Sequence, residues 1–304
     1  PTIGLPGSDA ELTAGLDINN PRVSAIPTGR LTAERPEDVV AYLNKVKEVE
    51  AAPYDAFWRK RLIHLSGGAT EQELIAFRNY VNGFKSVAEG HYLGGQVTTK
   101  SKQTNNAVEL INIAEEVNAG VSLITFFGHS GPATTDLEIG NVSEDIQGYR
   151  NKGKYPFILV NGCDAGNIYA DVYTFGEDWI VTPDRGAVGF IAHVALGLSS
   201  NLKRYSDLFY ATAFSDPSYI NQSIGKIMHK VSVEYLSKYG TSPASISQIQ
   251  QMNLQGDPAL RIFGAQKPDF EITSDHMELK SVDGGNITAL SDSFNLSFVV
   301  RNFG

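Results

Sequence analysis

The sequence predicts an α/β fold with a mostly parallel sheet, and three continuous apolar runs are the main reason. The runs cover residues 121–127, 157–160 and 187–192, and none of them alternates apolar with polar residues. Continuous apolar runs are typical of parallel strands whose two faces are both covered. Segments with the 3–4 spacing of amphipathic helices lie between the strand-like segments, so we expect a doubly wound sheet with helices on both sides.

The elements outside these runs follow from apolar periodicity and turn residues. Residues 1–35 are rich in proline, and Pro36 then opens a helix that has acidic residues in its first turn and apolar residues at every third or fourth position. Residues 61–66 read as a buried strand that ends at a glycine pair. The same signals predict a short strand at 96–99 and helices at 70–87, 105–119, 201–214, 222–239 and 244–252.

The pattern changes after residue 264, where short alternating segments replace the helices. These segments, broken by Gly- and Asp-rich turns, predict the start of an immunoglobulin-like β-sandwich that the sequence ends before completing. We therefore divide the chain into a first domain at 1–266 and a second at 267–304. The chain begins at Pro1 without a Met, so we expect it to be a piece of a longer protein.

The composition excludes several classes of function. The 304 residues are 42% hydrophobic and 19% charged, which is typical of a globular chain with a large core. The formal charge is −9 and there is no basic run, which argues against a nucleic acid or an anionic membrane as partner. The apolar runs are much shorter than the roughly 18 residues of a membrane span. A single cysteine, Cys163, leaves no internal disulfide and no multi-cysteine zinc site.

Two of the apolar runs lead into residues with the chemistry of a nucleophile and a base. The run at 121–127 is followed by His129 and the run at 157–160 by Cys163, each directly after a glycine. Functional groups collect at the carboxyl ends of parallel strands, so neighbouring strands would bring His129 and Cys163 to the same edge. A cysteine nucleophile needs a nearby imidazole that takes its proton or holds it as an ion pair. The small residues beside both groups suit backbone N–H groups that stabilise an oxyanion.

The residues alone leave other interpretations open. A lone cysteine at the end of a strand is more often a buried small hydrophobe, and a lone histidine a structural hydrogen-bonder. Residues 128–132 resemble the nucleophile elbow of a serine hydrolase built on Ser130, but that elbow needs glycine where Pro132 stands. His193 follows the third apolar run and faces either the same cleft or the interior. No pair of histidines has the spacing of a zinc site, so the sequence predicts no metal in the chemistry.

Residue patterns over most of the chain are similar to those of one family. The gingipain-type cysteine peptidases are caspase-like enzymes that include the gingipains and the sortase-like peptidases of type IX secretion. This chain resembles them at Phe127-Gly128-His129 and at Asn161-Gly162-Cys163, with 34 positions from the histidine to the cysteine. Residues 26–50, 186–192 and 253–261 resemble the family as well. The likeness covers about residues 1–263, and an immunoglobulin-like module commonly follows this domain in the family.

The resemblance implies a caspase-like three-layer α/β/α fold and a peptidase that acts on protein or peptide substrates. It implies that Cys163 is the nucleophile, that His129 is its proton partner, and that the backbone N–H groups of Cys163 and Ser130 form the oxyanion hole. The family usually has glycine where Ser130 stands, so the added side chain could narrow or reorient the site. Hydrolysis by an endopeptidase and transpeptidation both stay open.

Substrate recognition and the orientation of the histidine are also implied by the resemblance. The acid that orients the histidine has two candidates, Glu71 and Glu73. The pocket for the substrate residue before the scissile bond is expected to draw on Asp164 and on residues 193–198, which include His193.

The resemblance bears on location, calcium and catalytic competence too. It places the protein outside the cell, secreted or at the surface, next to further domains of a larger chain. No cofactor is expected, but some family members bind calcium, which makes Asp9 and Asp17 candidate ligands, with a solvated loop as the alternative. The alternative to an enzyme is a catalytically inactive pseudopeptidase that serves as a binding or adhesion module of a large secreted protein.

Overall fold

A six-stranded sheet lies at the centre of the computed structural model, which describes residues 7–53, 56–262, 270–272, 277–282 and 284–302. Within these residues the strands are β1 (Arg61–Ser66), β2 (Gln96–Ser101), β3 (Glu109–Leu110), β4 (Leu123–Phe127), β5 (Leu137–Glu138), β6 (Phe157–Asn161), β7 (Gly189–His193), β8 (Met252–Gly256), β9 (Phe270–Glu271), β10 (Met277–Ser281), β11 (Phe294–Phe298) and β12 (Arg301–Asn302). The central sheet has the order β2-β1-β4-β6-β7-β8.

The strand directions confirm the mostly parallel sheet that the sequence predicts. Every neighbouring pair from β2 to β7 is parallel, and only the last strand of the sheet, β8, runs antiparallel to its neighbour. The register places Phe127 of β4 opposite Asn161 of β6. The two strands that lead to His129 and Cys163 are therefore direct neighbours and end at the same level.

Helices cover the sheet in two groups. The helices of the described residues are α1 (Pro36–Ala51), α2 (Glu71–Ala88), α3 (Ala114–Ala119), α4 (Phe175–Val181), α5 (Ser199–Ser215), α6 (Ile224–Tyr239) and α7 (Pro243–Gln250). Helices α2 and α5 pack against each other, and α6 and α7 contact α5; separately, α1 contacts α4, which packs on β7 and β8. The result is the caspase-like three-layer α/β/α arrangement that the resemblance implies.

Burial of both faces explains the continuous apolar runs of the sequence. Every residue of β4, β6 and β7 is buried. Helix α2 adds Phe77, Val81 and Phe84 to this core, at the spacing of a single helical face. Burying an apolar side chain of this kind completely contributes about 1.5–3 kcal/mol to stability relative to leaving it exposed. The central strands therefore form a stable base for the loops that follow them.

The helix predicted at 105–119 is wrong over its first half. Residues 109–110 form β3, which pairs in parallel with β5, and α3 begins only at residue 114. Leu110 is 81% exposed, so the apolar spacing there does not mark a buried face. The Glu109 N–H donates to Asp136 O, and the Glu109 carboxylate accepts the N–H groups of residues 103 and 104. These side-chain and tertiary hydrogen bonds override the local periodicity.

Strand β8 and helix α4 are further elements that were not predicted from the sequence. Residues 252–256 form the edge strand β8, where the last predicted helix was expected to end. Helix α4 begins with a capping box, in which Thr174 Oγ1 accepts the Glu177 N–H and the Glu177 carboxylate accepts the Thr174 N–H. The Thr-x-x-Glu pattern of this box is visible in the sequence and would have located the helix.

The outer edge of β8 is covered by a segment from the beginning of the chain. The Arg30 N–H donates to Leu254 O at 2.9 Å, and the Gly256 N–H donates to Arg30 O at 3.0 Å. The Arg30 side chain makes an ion pair with the buried Asp9. The backbone bonds of Arg30 and its ion pair with Asp9 thus hold the first part of the chain along β8.

The residues after 269 form short antiparallel pairs. Strand β10 pairs with β11, and β12 pairs with β9. The side chains of β10 and β11 are largely exposed. This is the region where the sequence predicts the start of an immunoglobulin-like sandwich, and the sandwich stays a prediction. The expected boundary near Lys267-Pro268 lies outside the described residues.

Candidate active site

The carboxyl ends of β4 and β6 bring His129 and Cys163 to one edge of the sheet. The Gly128 N–H donates to Asn161 O at 3.1 Å, which continues the pairing of the two strands by one residue. His129 and Cys163 each follow two residues after the paired positions Phe127 and Asn161. The two strands that lead to His129 and Cys163 are therefore neighbours, and both residues lie at the same edge of the sheet.

His129 begins a loop that is closed by its own backbone. The Asp136 N–H donates to His129 O, and the Gly131 N–H donates to Thr134 O, both at 2.9 Å. No helix follows the histidine directly, as a serine-hydrolase elbow would need. The loop therefore presents the imidazole at the sheet edge, with about half of its side chain exposed.

Glu73 is the acid that contacts the histidine. Its Oε2 lies 3.2 Å from His129 Nε2, whereas Glu71, the other candidate, has no such contact among the described residues. Because the carboxylate can only accept, Nε2 carries the hydrogen and Nδ1 has the free lone pair of a base. Burial raises the pKa of Glu73, but the hydrogen bonds from Ala69 and His129 outweigh it and hold the pKa below its usual value.

The position of Glu73 follows from the local sequence of α2. Thr70 is the N-cap, and its Oγ1 accepts the Glu73 N–H at 3.2 Å. In return Glu73 Oε2 accepts the N–H groups of Ala69 and Thr70. This capping box fixes the carboxylate at the start of the helix, where the helix dipole also favours negative charge.

Cys163 is partly exposed, and its thiol contacts the loop after β7. The Gly197 N–H donates to Cys163 Sγ at 3.4 Å, and Sγ donates to Gly197 O at 3.7 Å. In the described structure no hydrogen bond joins Sγ to His129. Gly197 lies within residues 193–198, which the resemblance implies for substrate binding, but its contact with the thiol was not predicted because it depends on how a distant loop folds over Cys163. A Cβ at Gly197 would lie 2.7 Å from Leu202 Cδ1 and 3.2 Å from Gly162 O, so the backbone is closely packed at this point.

The predicted oxyanion donors lie side by side. Ser130 Oγ donates to Cys163 O at 2.7 Å, which joins the two residues. Neither the Ser130 N–H nor the Cys163 N–H has an acceptor within the described part of the chain. The hydroxyl of Ser130 is engaged with a carbonyl and has no base beside it, so the structure offers no support for a serine nucleophile.

Asp164, which follows Cys163, and His193 both donate to the same backbone carbonyl. Asp164 has a left-handed backbone (φ 56°), and its N–H donates to Ala195 O at 3.0 Å. His193 is only 2% exposed, and its Nδ1 donates to the same carbonyl at 2.8 Å. Burial lowers the pKa of His193 and favours its neutral form. This setting favours a structural role for His193, and its contact with substrate stays a prediction.

The two candidate calcium ligands are each hydrogen-bonded to other residues of the chain. Arg30 occupies both oxygens of the buried Asp9, and Tyr169 donates to the same carboxylate at 3.0 Å. Asp17 accepts hydrogen bonds from Asn19 and Asn20. Asp9 therefore fits neither a calcium site nor the solvated loop that was its alternative, and no step below uses a metal. No group of three or more His, Cys, Asp or Glu side chains that could hold a metal occurs among the described residues.

The fold and the site edge define a caspase-like α/β protein, and comparison with known proteins gives its family. The model of peptidase family C25 matches residues 7–263. The chain therefore belongs to this family, the gingipain-type cysteine peptidases, as the sequence resemblance indicated. No curated protein matches the chain in sequence.

Solved structures support the same fold. The Arg-specific cysteine proteinase gingipain R (RGPB) superimposes with a TM-score of 0.69 at 18% identity, over 88% of this chain and 62% of that one. A complex of the Porphyromonas gingivalis RgpB pro- and mature domains gives 0.69 at 17% identity, over 88% and 64%. The chain thus spans less than two thirds of these proteins. No helix in the described residues is long and apolar enough to cross a membrane.

Proposed function

We propose that the chain cleaves peptide bonds, with Cys163 as nucleophile, His129 as proton carrier and Glu73 as the acid that orients it. The observation that carries this proposal is the Glu73–His129 contact of 3.2 Å at the end of the strand beside the one that leads to Cys163. A partly exposed histidine with only a structural role can hydrogen-bond to water, so it does not require a carboxylate partner such as Glu73. A carboxylate that orients an imidazole beside a cysteine is what the activation of a thiol nucleophile needs, and this supports the proposal.

The first half of the reaction forms an acyl-enzyme. Nδ1 of His129 takes the thiol proton, and Cys163 Sγ attacks the carbonyl carbon of the substrate. The resulting oxyanion accepts the free N–H groups of Ser130 and Cys163. His129 then gives the proton to the leaving amine, the C–N bond breaks, and a thioester remains on Cys163.

The second half releases the acyl group. Nδ1 of His129 takes a proton from water, the hydroxide attacks the thioester, and the proton passes to the departing thiolate. An amine in place of water would give transpeptidation by the same steps. In either half the Sγ–Gly197 contact has to give way, because the sulfur needs to face both the imidazole and the substrate.

Substrate class and location follow the family. We propose that the substrates are proteins or peptides and that the protein acts outside the cell, at the surface or secreted, as part of a larger chain. Asp164 and residues 193–198 would contact the substrate residue before the scissile bond. Leu196 and Leu198, which flank Gly197, are 69% and 62% exposed and give this edge an apolar character.

Alkylation of Cys163 across pH tests the proposal directly. Since Cys163 is the only cysteine of the chain, intact mass after iodoacetamide treatment reports this thiol alone. The native protein should react well below the ordinary thiol pKa of about 8.5, and the denatured chain serves as the reference. His129→Ala should restore the reference profile, and Cys163→Ala should abolish peptide cleavage.

The opposite result identifies the alternative function. A native profile equal to that of the denatured chain, with no cleavage of a peptide library, would contradict the proposal. The chain would then be a pseudopeptidase that keeps the fold as a binding module. Ser130→Ala is the further control, since a serine enzyme would lose activity with this variant and keep it in Cys163→Ala.

A further inference from the structure

A buried ion pair lies beneath the two turns that carry Glu73 and His129, and the proposed mechanism does not use it. Asp136 closes the loop after β4, and Lys102 directly follows β2. Lys102 Nζ lies 3.7 Å from Asp136 Oδ2, and the two side chains are 0% and 6% exposed. Charged side chains are seldom buried this deeply unless they are paired. Nothing in the sequence analysis singled out either residue.

The Asp136 carboxylate lies between the turn at Gly67-Gly68 and the turn at Gly128. Its Oδ2 accepts the Gly68 N–H at 2.7 Å. Its Oδ1 lies close to the backbone of Gly67 and Gly128. A Cβ built on Gly67 would lie 1.8 Å from Oδ1, and a Cβ built on Gly128 would lie 2.5 Å from it, so both positions have room only for glycine. Oδ1 itself has no hydrogen-bond partner among the described residues. An unsatisfied buried oxygen costs stability, so stability alone does not account for an aspartate here.

The two residues of the pair form hydrogen bonds to the backbone on both sides of the Glu73–His129 contact. On one side Lys102 Nζ donates to Gly68 O at 3.0 Å while Asp136 takes the N–H of the same residue, and Gly68 leads into the first turn of α2. On the other side the Asp136 N–H donates to His129 O at 2.9 Å. Asp136 therefore joins the two turns, by its carboxylate on one side and by its backbone N–H on the other, beside the direct bond from the Gly67 N–H to Phe127 O at 2.9 Å.

We propose that Asp136, held by Lys102, is a positioning residue that fixes the separation and orientation of Glu73 and His129, so that His129 can take the proton of Cys163. In the described structure the Asp136 side chain makes no hydrogen bond to Cys163 or His129, and it acts through the backbone of the two turns. The inference rests on the proposed function for its kinetic readout but not for its alkylation readout.

The test removes both charges together. Asp136→Asn with Lys102→Met is the main variant, because removing one partner alone leaves a buried unpaired charge. Asp136→Asn alone is the second variant, since it keeps the shape of the side chain. Lys45→Met is the matched control: Lys45 is 1% exposed and donates to the carbonyls of Trp179 and Ile180, on the side of the sheet that carries α1.

The expected result is a catalytic defect in a folded protein. In the pair variant kcat should fall on the order of 10- to 100-fold, as for a small misplacement of a reacting group, with little change in KM. The pH profile of Cys163 alkylation should move toward that of the denatured chain. Adding Glu73→Gln should cost nothing further, because both changes act on the same contact. Lys45→Met should lower Tm and leave the alkylation profile unchanged.

Each other outcome has a clear meaning. A folded pair variant with the native alkylation profile overturns the proposal, and so do losses that add to those of Glu73→Gln. If the native protein alkylates at low pH but cleaves no peptide, the proposed function fails while the alkylation profile still decides the role of Asp136. A native profile like that of the denatured chain overturns both.

Discussion

Gly162, the residue directly before Cys163, lies close to the loop that begins at His129. A Cβ at this position would stand 2.1 Å from Ser130 Oγ and 3.1 Å from Gly128 O. Gly162→Ala should therefore push the ends of β4 and β6 apart and cost about 1–3 kcal/mol of unfolding free energy, the usual range for overpacking, measured by urea unfolding. Peptide cleavage should fall with it.

A second substitution separates the cause from a general packing defect. Ser130→Gly removes the closer of the two clashes, so the double variant should regain part of the lost stability. Equal stability of Gly162→Ala and the double variant would show that the Ser130 side chain is not what the new methyl group meets.

His64 makes the stability of the fold depend on pH. Burial lowers the pKa of His64 to about 4, against the hydrogen bond to Val81, which raises it. The unfolded chain, with an ordinary histidine pKa near 6.5, then binds more protons than the folded one between pH 6.5 and 4. Stability is therefore present above pH 6.5 and is lost as the pH falls, by about 2 kcal/mol between pH 7 and 5 from this residue.

His64→Gln tests this dependence. The variant loses the contact of Nε2 with the Tyr210 hydroxyl, so it is less stable at every pH. Its unfolding free energy should nevertheless fall less than that of the native protein between pH 7 and 5. Parallel curves for the two proteins would assign the acid sensitivity to other groups.

At the scale of the element, the first turn of α2 links helix stability to the chemistry. Thr70→Ala removes the N-cap acceptor of the Glu73 N–H and should cost about 1 kcal/mol in urea unfolding. Because Glu73 is held by the same capping box, the alkylation profile of Cys163 should shift as well.

The matched control is the N-cap of α7. Ser242 Oγ accepts the Ser245 N–H at 3.2 Å, the same type of cap at the start of a helix that packs on α5, α6 and β8. Ser242→Ala should cost a similar amount of stability and leave the alkylation profile where it is. A shift in both variants, or in neither, would break the proposed link between the cap and Glu73.

The elements differ in how far the sequence could predict them. Strands β4 and β6 were predictable because total burial leaves a continuous apolar run, and their neighbours His129 and Cys163 followed. The pairing of residues 109–110 with β5 was not, since it depends on a backbone partner 28 positions further on. Glu73 was one of two candidates, because only the turn of α2 decides which carboxylate faces the imidazole.

At the scale of the whole molecule, the residues after 262 are expected to contribute little to stability. The side chains of β10 and β11 are largely exposed, whereas the core cluster of buried residues ends at Ile262. A chain cut after residue 262 should keep its Cys163 alkylation profile and lose no more than about 2–4 °C in Tm, which is roughly 1 kcal/mol for a domain of this size. A larger loss would contradict the predicted division at 266.

The function of the whole protein was less predictable than its fold. The motifs around His129 and Cys163, combined with the likeness at residues 26–50, 186–192 and 253–261, indicated the family, which the match over residues 7–263 confirms. The partners of the two groups were not visible, because Gly197, Lys102 and Asp136 reach the site only through the folded chain. Local motifs therefore indicate the proposed nucleophile and base, whereas their alignment depends on tertiary contacts.

The segment that lies along β8 has a consequence for how molecules behave toward one another. An edge strand with free N–H and C=O groups is a template for pairing with the edge of a second molecule. Arg30 takes up the backbone groups of Leu254 and Gly256 on that edge, and its ion pair with Asp9 keeps the cover in place. A chain clipped between Arg30 and α1 that lost its first segment would keep His129, Cys163 and most of its core, yet expose an unpaired strand edge. Self-association would then limit its lifetime before loss of chemistry did.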